Sequence, residues 1–518
     1  MKKSIVIYLI IIFYSSSIYA QLGFQKTYGT GHAAATAMER TSDGGYILTG
    51  GVVNVGAGKA DVYLIKTDSN GNLAWTRSFG GAEYDYGWGV IQNMEGGYVS
   101  VGGSMSFGLT KAVYLVKTDN NGNLLTSRTY GNYQSATANA ILQTSDSGYV
   151  IYGSCFDNIY RSLLIRTDKN GDTLWTKTYA NKSGGSMIKT NYGGFVLCGR
   201  DQDGGNIDIF VTKTDNFGVP IWSRSLGIDS AITRCTKINK TSDGGYIIIG
   251  YSNKSNNTDV LLIKLDSLAN IHWAKTYGGS DPDNGCDVKQ TSDGGYIVSG
   301  LTNSFGNIYG DAYLIKTDSN GNLLWSKTYG DIYKESGYSV IQTSSGNYVI
   351  AGGTGISGGM YLIKTDSVGH VGCYENNPST IVNIPTTHSS IGTNYISHCN
   401  ATSTPSTVVD SGGVEYLLCT YSIDEMYNSQ STYTLYPNPT SEKVTVDLGK
   451  TYKTIYVSVK NIMGQEVLSK TYKTTNQLSF EIKGSSGVYF VEIRTDEGLP
   501  AETLVKAGKS AVFKVVKE

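Results

Sequence analysis

The sequence predicts an all-β chain: a seven-bladed β-propeller, then a linker and a small C-terminal Ig-like β-sandwich. Three observations predict it. A hydrophobic run ending in Lys-Thr-Asp, or a close variant, recurs seven times, with its aspartates at Asp68, Asp119, Asp168, Asp215, Asp266, Asp318 and Asp366. A period of about 50 residues marks a repeat architecture of propeller type. Composition agrees: of 518 residues Gly supplies 64, Tyr 39 and Pro only 8, and no stretch shows helical periodicity. Finally, one repeat divides into four short strand patterns, which is the content of one blade.

The first twenty residues stand apart from the fold. Lys2 and Lys3 precede an apolar run from Ile5 to Phe13 and a small-residue exit ending at Ala20. This is the pattern of a cleaved secretory signal, too short to span a bilayer. No later segment is apolar enough to cross a membrane. Formal net charge is −1 and charged residues are 16%, so no basic field calls for nucleic acid.

The propeller is expected over residues 21–373. In the repeat at 273–325, Trp273–Tyr277, Cys286–Gln290, Gly295–Ser299 and Asp311–Thr317 alternate as strands, and Asn320-Gly321 turns the chain toward Leu323-Leu-Trp325. Asn-Gly is a strong hairpin signal, read here as a type I′ turn with positive φ at both central residues. Asp293-Gly-Gly makes a second tight turn. Phe24–Tyr28 lacks a hairpin partner at the start, and Met360–Thr365 lacks a successor at the end. Pairing them closes the ring and removes its exposed edges.

Residues 374–431, rich in Ser, Thr, Asn and Pro, read as an extended spacer in which Thr380-Ile-Val and Thr407-Val-Val form isolated strands. From Tyr433 the pattern changes to alternating strands at Lys443–Leu448, Ile455–Lys460, Val467–Tyr472, Leu478–Ile482 and Val488–Arg494, the content of a small sandwich over 432–518.

The repeats carry several acidic positions. Asp68-Ser-Asn-Gly-Asn72 has oxygens at alternate positions, but Gly stands fourth where a helix–loop–helix calcium site needs it sixth; it reads as a turn. Asp85, Asp229, Asp283 and Glu335 follow the Trp-type strands and are candidates for a carboxylate rim that holds a cation, a sugar or a basic peptide. The five histidines show no metal-ligand spacing, and neither a nucleophile elbow nor a phosphate loop occurs. No catalytic residue, metal or cofactor is therefore assigned. The reading is a binding or adhesion propeller for a glycan or surface protein; the alternative is a polysaccharide hydrolase using loop carboxylates, with paired acids at the separation such chemistry needs. Cys155, Cys198, Cys235 and Cys286 fall singly in different repeats, as small buried hydrophobes do. Cys373, Cys399 and Cys419 cluster in an exported chain, and Cys373–Cys419 is the favoured bridge.

Five resemblances add to this. Leu435-Tyr-Pro-Asn-Pro-Thr, Ile462-Met-Gly-Gln-Glu-Val467, Gly487-Val-Tyr-Phe-Val-Glu-Ile493 and Phe513-Lys-Val-Val-Lys-Glu518 resemble, in order, the type A C-terminal sorting domain of the Bacteroidota type IX secretion system. Leu499–Ser510 departs from it as an insertion between the last two strands. The resemblance implies recognition by the outer-membrane secretion machinery and a mature protein that is secreted or held at the outer cell surface. The propeller and tail together resemble secreted Gly-Tyr-repeat propeller proteins of that phylum. Gly71-Asn-Leu-Ala-Trp75 is similar to the docking element of quinoprotein propellers, and the period to kelch repeats; the eight blades and vicinal cysteines of quinoprotein enzymes are absent. Thr173, Ser230, Ser267 and Ser367 lie in short Asp-Ser/Thr-aliphatic stretches that resemble the O-glycosylation motif of Bacteroidota.

Overall fold

The computed structural model describes residues 23–421, apart from 30–31, 109, 132, 192, 203–206, 230, 255–256, 356–357, 393–395, 398–401 and 411–414, and residues 434–517, apart from 437–442, 462–464, 483–486 and 496–509. The signal segment, Cys399, Ser230 and most of the 499–510 insertion lie outside the described residues. Among those described, the secondary structure consists of strands and their turns, paired antiparallel in nearly every ladder. The chain divides into two compact units, one spanning Gly23–Thr420 and the other containing Tyr421–Glu518.

In the first unit each repeat folds as the sequence pattern demands, into a propeller-like series of small sheets. Asp283–Gln290, Tyr296–Thr302, Asp311–Thr317 and Leu323–Tyr329 pair in chain order, each with the next. Alternate residues of the middle strands point to opposite faces, and both faces are covered by neighbouring sheets. Val196, Ile248 and Ile263, for example, share one fully buried cluster. Each such aliphatic side chain contributes about 1.5–3 kcal/mol on burial.

The tight turns depart from the expected type. Gly71 has φ +72° while Asn70 is not left-handed, and the ladder slips between Lys66 and Thr67. This is a type I turn closed by a left-handed glycine and a one-residue bulge, the other common hairpin solution. The Asp68 carboxylate accepts the Asn70 and Asn72 amides, both at 2.8 Å, so the aspartate caps its own turn. The lysine of the repeated phrase has a structural task too. Lys66, Lys264 and Lys316 reach Asp43, Asp243 and Asp293 of the preceding Asp-Gly-Gly turns, each at 2.8 Å. Although burial opposes it, the ammonium holds each of these carboxyls down to about 2.

The first strand of the chain completes the last sheet. Gly23–Tyr28 pairs with Met360–Lys364, with Phe24 opposite Lys364 and Tyr28 opposite Met360. Sheets are also stitched to one another: Tyr28, Tyr130, Tyr179, Tyr277 and Tyr329, all buried, donate their hydroxyls to the carbonyls of Gly71, Gly171, Gly218, Gly321 and Gly369 in the next repeat, at 2.5–2.6 Å.

Residues 375–421 correct the spacer expectation. They form a belt of short strands, each added to the edge strand of a different repeat. Glu375–Asn376 pairs with Leu323–Tyr329, Ile381–Asn383 with Ile271–Gly278 and Thr387–Ile391 with Pro220–Ile228. Ile396–Ser397, Thr402–Ser403 and Val408–Asp410 continue backward around the repeats, and Glu415–Tyr421 reaches Gly23–Tyr28. Low apolar content misleads here because an edge strand is held by backbone hydrogen bonds and a few polar anchors. Thr407 meets Tyr114 at 2.6 Å and Ser127 at 2.8 Å; Thr380 meets Tyr313 and Ser326 in the same way.

The second unit is a five-stranded antiparallel sheet system around a core that includes Val444, Val446, Ile455, Val457, Leu478, Phe480, Val491 and Ile493. Two expected pairs of strands are continuous: Lys443–Asn461 and Glu466–Glu481 each run the length of two. Their pairing shifts register between Asp447 and Tyr452 and again between Val459 and Lys460.

Candidate functional site

The strand that opens each repeat carries a β-bulge at the same place. Register shifts fall between Ala35 and Ala37, Gly87 and Gly89, Ala138 and Ala140, Gly184 and Ser186, Cys235 and Lys237, Gly285 and Asp287, and Gly337 and Ser339. A bulge inserts one residue and re-aims its side chain. The inserted residues are Thr36, Trp88, Asn139, Gly185, Thr236, Cys286 and Tyr338, and all of them line one cavity of about 510 Å³ where the opening strands converge.

A glycine on the second strand makes each bulge possible. A Cβ at Gly50 would stand 1.8 Å from the Ala34 carbonyl oxygen, and one at Gly250 would stand 1.7 Å from that of Arg234. Gly102, Gly153, Gly199, Gly300 and Gly352 meet the equivalent carbonyl at 1.6–2.1 Å. The bulged backbone thus occupies space that any side chain would fill.

The cavity is cationic. Lys111, Arg200, Arg234 and Lys237 line it, and among the described residues no carboxylate does. Burial lowers the pKa of Lys111, Arg200 and Lys237, and the neighbouring Arg234 charge lowers that of Arg200 further. Arg234 lies over Tyr251 at 5.7 Å from the ring centre. Trp88 is 40% exposed, large for an indole. Thr36 and Thr236 donate to the Gly87 and Gly285 carbonyls at 2.7 and 2.8 Å, and the Asn139 amide donates to Gly184 at 2.8 Å, so these three also brace neighbouring strands. The Cys286 thiol, pushed up to about 12 by burial, is no nucleophile. Cys235, beside the Thr236 bulge, forms a disulfide with Cys198 of the adjacent sheet, with Cα atoms 6.5 Å apart. This corrects the reading of those two cysteines as isolated hydrophobes; Cys286 carries a free thiol. Cys373 is disulfide-bonded, and the Cys419 side chain lies outside the described residues.

The acidic positions singled out in the sequence do not converge on this cavity. Asp85, Asp283 and Glu335 are 0–2% exposed. Asp85 accepts from the Gly81 amide at 2.8 Å and Ser106 at 2.6 Å, and Asp283 from the Gly279 amide at 2.8 Å and Ser304 at 2.7 Å. Glu335 accepts from Thr354 at 3.0 Å. Each faces a second acid across a glycine: Asp61 across Gly80, Asp259 across Gly278 and Asp311 across Gly330, where both carboxylates would lie 2.0–2.6 Å from an added Cβ. Burial pushes Asp61, Asp259 and Asp311 up to about 6 and Glu335 up to about 8. Asp229 has another partner. His388 of the belt bridges it at 3.0 Å to Asp208 at 2.9 Å. A smaller cavity of about 400 Å³, lined partly by Asn307, Asp311, Asp331 and Asn376, opens beside the third acid pair. Among the described residues no three His, Cys, Asp or Glu side chains are grouped to hold a metal. Ser267 and Ser367 are exposed at turns, while Thr173 is half-buried at a strand start.

Sequence reasoning missed the bulge residues. Their signal is positional: each stands ten residues before the aromatic that opens the second strand, as Thr36 before Tyr46 and Trp88 before Tyr98, and its identity changes in nearly every repeat.

Fold and cavity together define a propeller-like all-β scaffold whose opening strands converge on one cavity. Residues 434–507 match the family model of the secretion system C-terminal sorting domain. That domain marks the chain for type IX export to the cell surface or the medium. No curated protein matches the chain. Among solved structures, Sqt1 from Chaetomium thermophilum is similar at 10% identity, covering 66% of this chain and 98% of its own, with a TM-score of 0.40. A puromycin hydrolase is similar at 13% identity, covering 63% of this chain and 53% of its own, with a TM-score of 0.38. No helix among the described residues is long and apolar enough to cross a membrane.

Proposed function

We propose that this chain is a non-catalytic binding propeller of seven blades, carried to the cell exterior by an Ig-like sorting domain, and that its ligand enters the axial cavity. One observation carries the reading: seven otherwise repeating strands present seven bulge residues to one cavity, and those residues follow no repeat. A residue kept for the blade recurs; a residue kept for a ligand need not. On this reading the domains are a signal over 1–20, a propeller from 21 that the belt encircles, and a sorting domain over 432–518 that engages the type IX machinery. The bridge Cys373–Cys419 and O-glycans at Thr173, Ser230, Ser267 and Ser367 belong to the same proposal.

The hydrolase alternative draws on Asp311 and Glu335, where one acid is protonated near neutrality and a cavity lies alongside. It is the weaker reading, because the same buried pair recurs at Asp61–Asp85 and Asp259–Asp283, as a structural element does. The test is a glycan and protein array probed with the intact exported protein and with Trp88→Ala. Binding that weakens in the variant, without turnover, supports the module. Glycan cleavage abolished by Glu335→Gln would replace it with the hydrolase. Deletion of 433–518 is expected to hold the protein in the periplasm; undiminished secretion would refute the sorting role.

A further inference from the structure

We propose that the axial cavity binds an acidic saccharide, a sugar unit bearing a carboxylate or a sulfate ester. This rests on the reading that the axis is the ligand site, and it names the chemistry that site selects. Four cations of the lining come from three repeats, Arg234 and Lys237 from one strand, and among the described residues no carboxylate lines the cavity with them. Like charges gathered in a partly desolvated space repel, and an anion placed between them relieves that cost. Asp287, the carboxylate that acts on Lys237, is already engaged by Lys289 at 3.0 Å and by the Val340 amide at 3.1 Å. Lys289 thus competes with Lys237 for the same carboxylate.

Arg200 supplies the sharpest observation. Its Nε is buried with no hydrogen-bond partner, while the Arg234 charge acts on it. A guanidinium offers a planar fork of donors matched to a carboxylate or sulfate. An anion bonded to Arg200 and shared with Arg234 satisfies the idle donor and the repulsion together.

The rest of the wall suits a sugar ring. Trp88 and Tyr251 offer aromatic faces, and Thr137, Asn139 and Ser183 offer the hydroxyl and amide groups that pair with sugar hydroxyls. About 510 Å³ is within the range of small-ligand sites. The cations are sunk in this cavity instead of forming a track over the surface, which disfavours a nucleic-acid backbone.

The experiment titrates the full-length exported protein with polygalacturonate, chondroitin sulfate, neutral dextran and poly-glutamate at low and at physiological ionic strength. Binding to at least one acidic polysaccharide is expected, weakening with salt. Arg200→Gln with Arg234→Gln is expected to weaken it about 10- to 100-fold, as loss of charge-assisted bonds does, with the melting temperature unchanged. Arg200→Lys with Arg234→Lys is expected to restore part of the loss. The two acidic polymers separate carboxylate from sulfate. Poly-glutamate binding as tightly as the sugars would overturn the saccharide assignment. Dextran binding that depends on Trp88 but not on the arginines would overturn the anionic assignment and leave the axial site standing. Absence of binding to every probe overturns the inference; if Trp88→Ala also leaves every array signal unchanged, the axial reading falls with it.

Discussion

Two sets of residues only a few ångströms apart obey opposite rules. Gly50, Gly102, Gly153, Gly199, Gly250, Gly300 and Gly352 are the same in every repeat, while the bulge residues beside them run Thr, Trp, Asn, Gly, Thr, Cys, Tyr. The glycine is forced by a carbonyl that leaves no room for a Cβ. The bulge residue faces the cavity, where side chains from none at Gly185 to an indole at Trp88 are accommodated, although Thr36, Asn139 and Thr236 also brace a neighbouring strand. Invariance within this chain therefore reports backbone geometry, and variation reports the place where chemistry is free to differ.

The largest effect should come from the invariant side of this contrast. Gly250→Ala places a Cβ 1.7 Å from the Arg234 oxygen and is expected to cost about 3 kcal/mol in denaturant unfolding; a loss below about 0.5 kcal/mol would mean that the bulge yields easily and the contrast is empty. Next comes the stitching between repeats. Tyr277→Phe removes a buried hydroxyl bonded to the Gly321 carbonyl at 2.6 Å and should cost about 1–2 kcal/mol, read by the same unfolding curves.

A pH series sharpens the comparison at the acid pairs. The Glu335 carboxyl, pushed up to about 8 by burial and then by Asp331 and Asp311, keeps a proton in the folded chain that the unfolded chain releases near 4.5. Its contribution to stability is full below that lower value, falls as pH rises, and levels off above about 8. Asp61, Asp259 and Asp311 act in the same direction between their ordinary 3.8 and about 6. His388, raised by its bond to Asp208, likewise loses its contribution as pH rises through its folded value. The melting temperature should thus be higher near pH 5 than near pH 8, and Glu335→Gln should flatten the upper part of the slope. A profile that rises over this range would exclude protonated pairs. The smallest effect belongs to the variable side: Trp88→Ala is expected to leave stability within about 0.5 kcal/mol while altering ligand binding. A large destabilisation would return Trp88 to the core.

Much was legible without coordinates because it is local. Asp-Gly-Gly and Asp-x-Asn-Gly-Asn are complete turn instructions, since their hydrogen bonds close within four residues, as from Asp68 to Asn72. The pairing of Phe24–Tyr28 with Met360–Thr365 followed from counting unpartnered strands. The type of hairpin was misread because Asn-Gly serves two turn geometries, which differ in φ at the asparagine and in whether a one-residue bulge follows. The burial of Asp85 and Glu335 was not legible because burial is not a local property: both open their strands beside loops but are buried, each against an acid of the preceding repeat. The Cys198–Cys235 bridge was invisible for the same reason, since 37 residues of chain separate its ends.

The belt shows the division most clearly. Thr380-Ile-Val and Thr407-Val-Val were recognisable as extended segments from composition alone, yet what they pair with depended on the ring already being closed. Repeat period, strand order, turn chemistry and the sorting tail are properties of near neighbours in the chain, and the sequence determined them by itself. Which oxygens are buried, which cysteines meet, where the spacer lies and which side chains share the axial cavity are set by contacts between distant residues. Only the tertiary structure decided those, because a bulge turns its residue toward the axis by backbone geometry that no residue type announces.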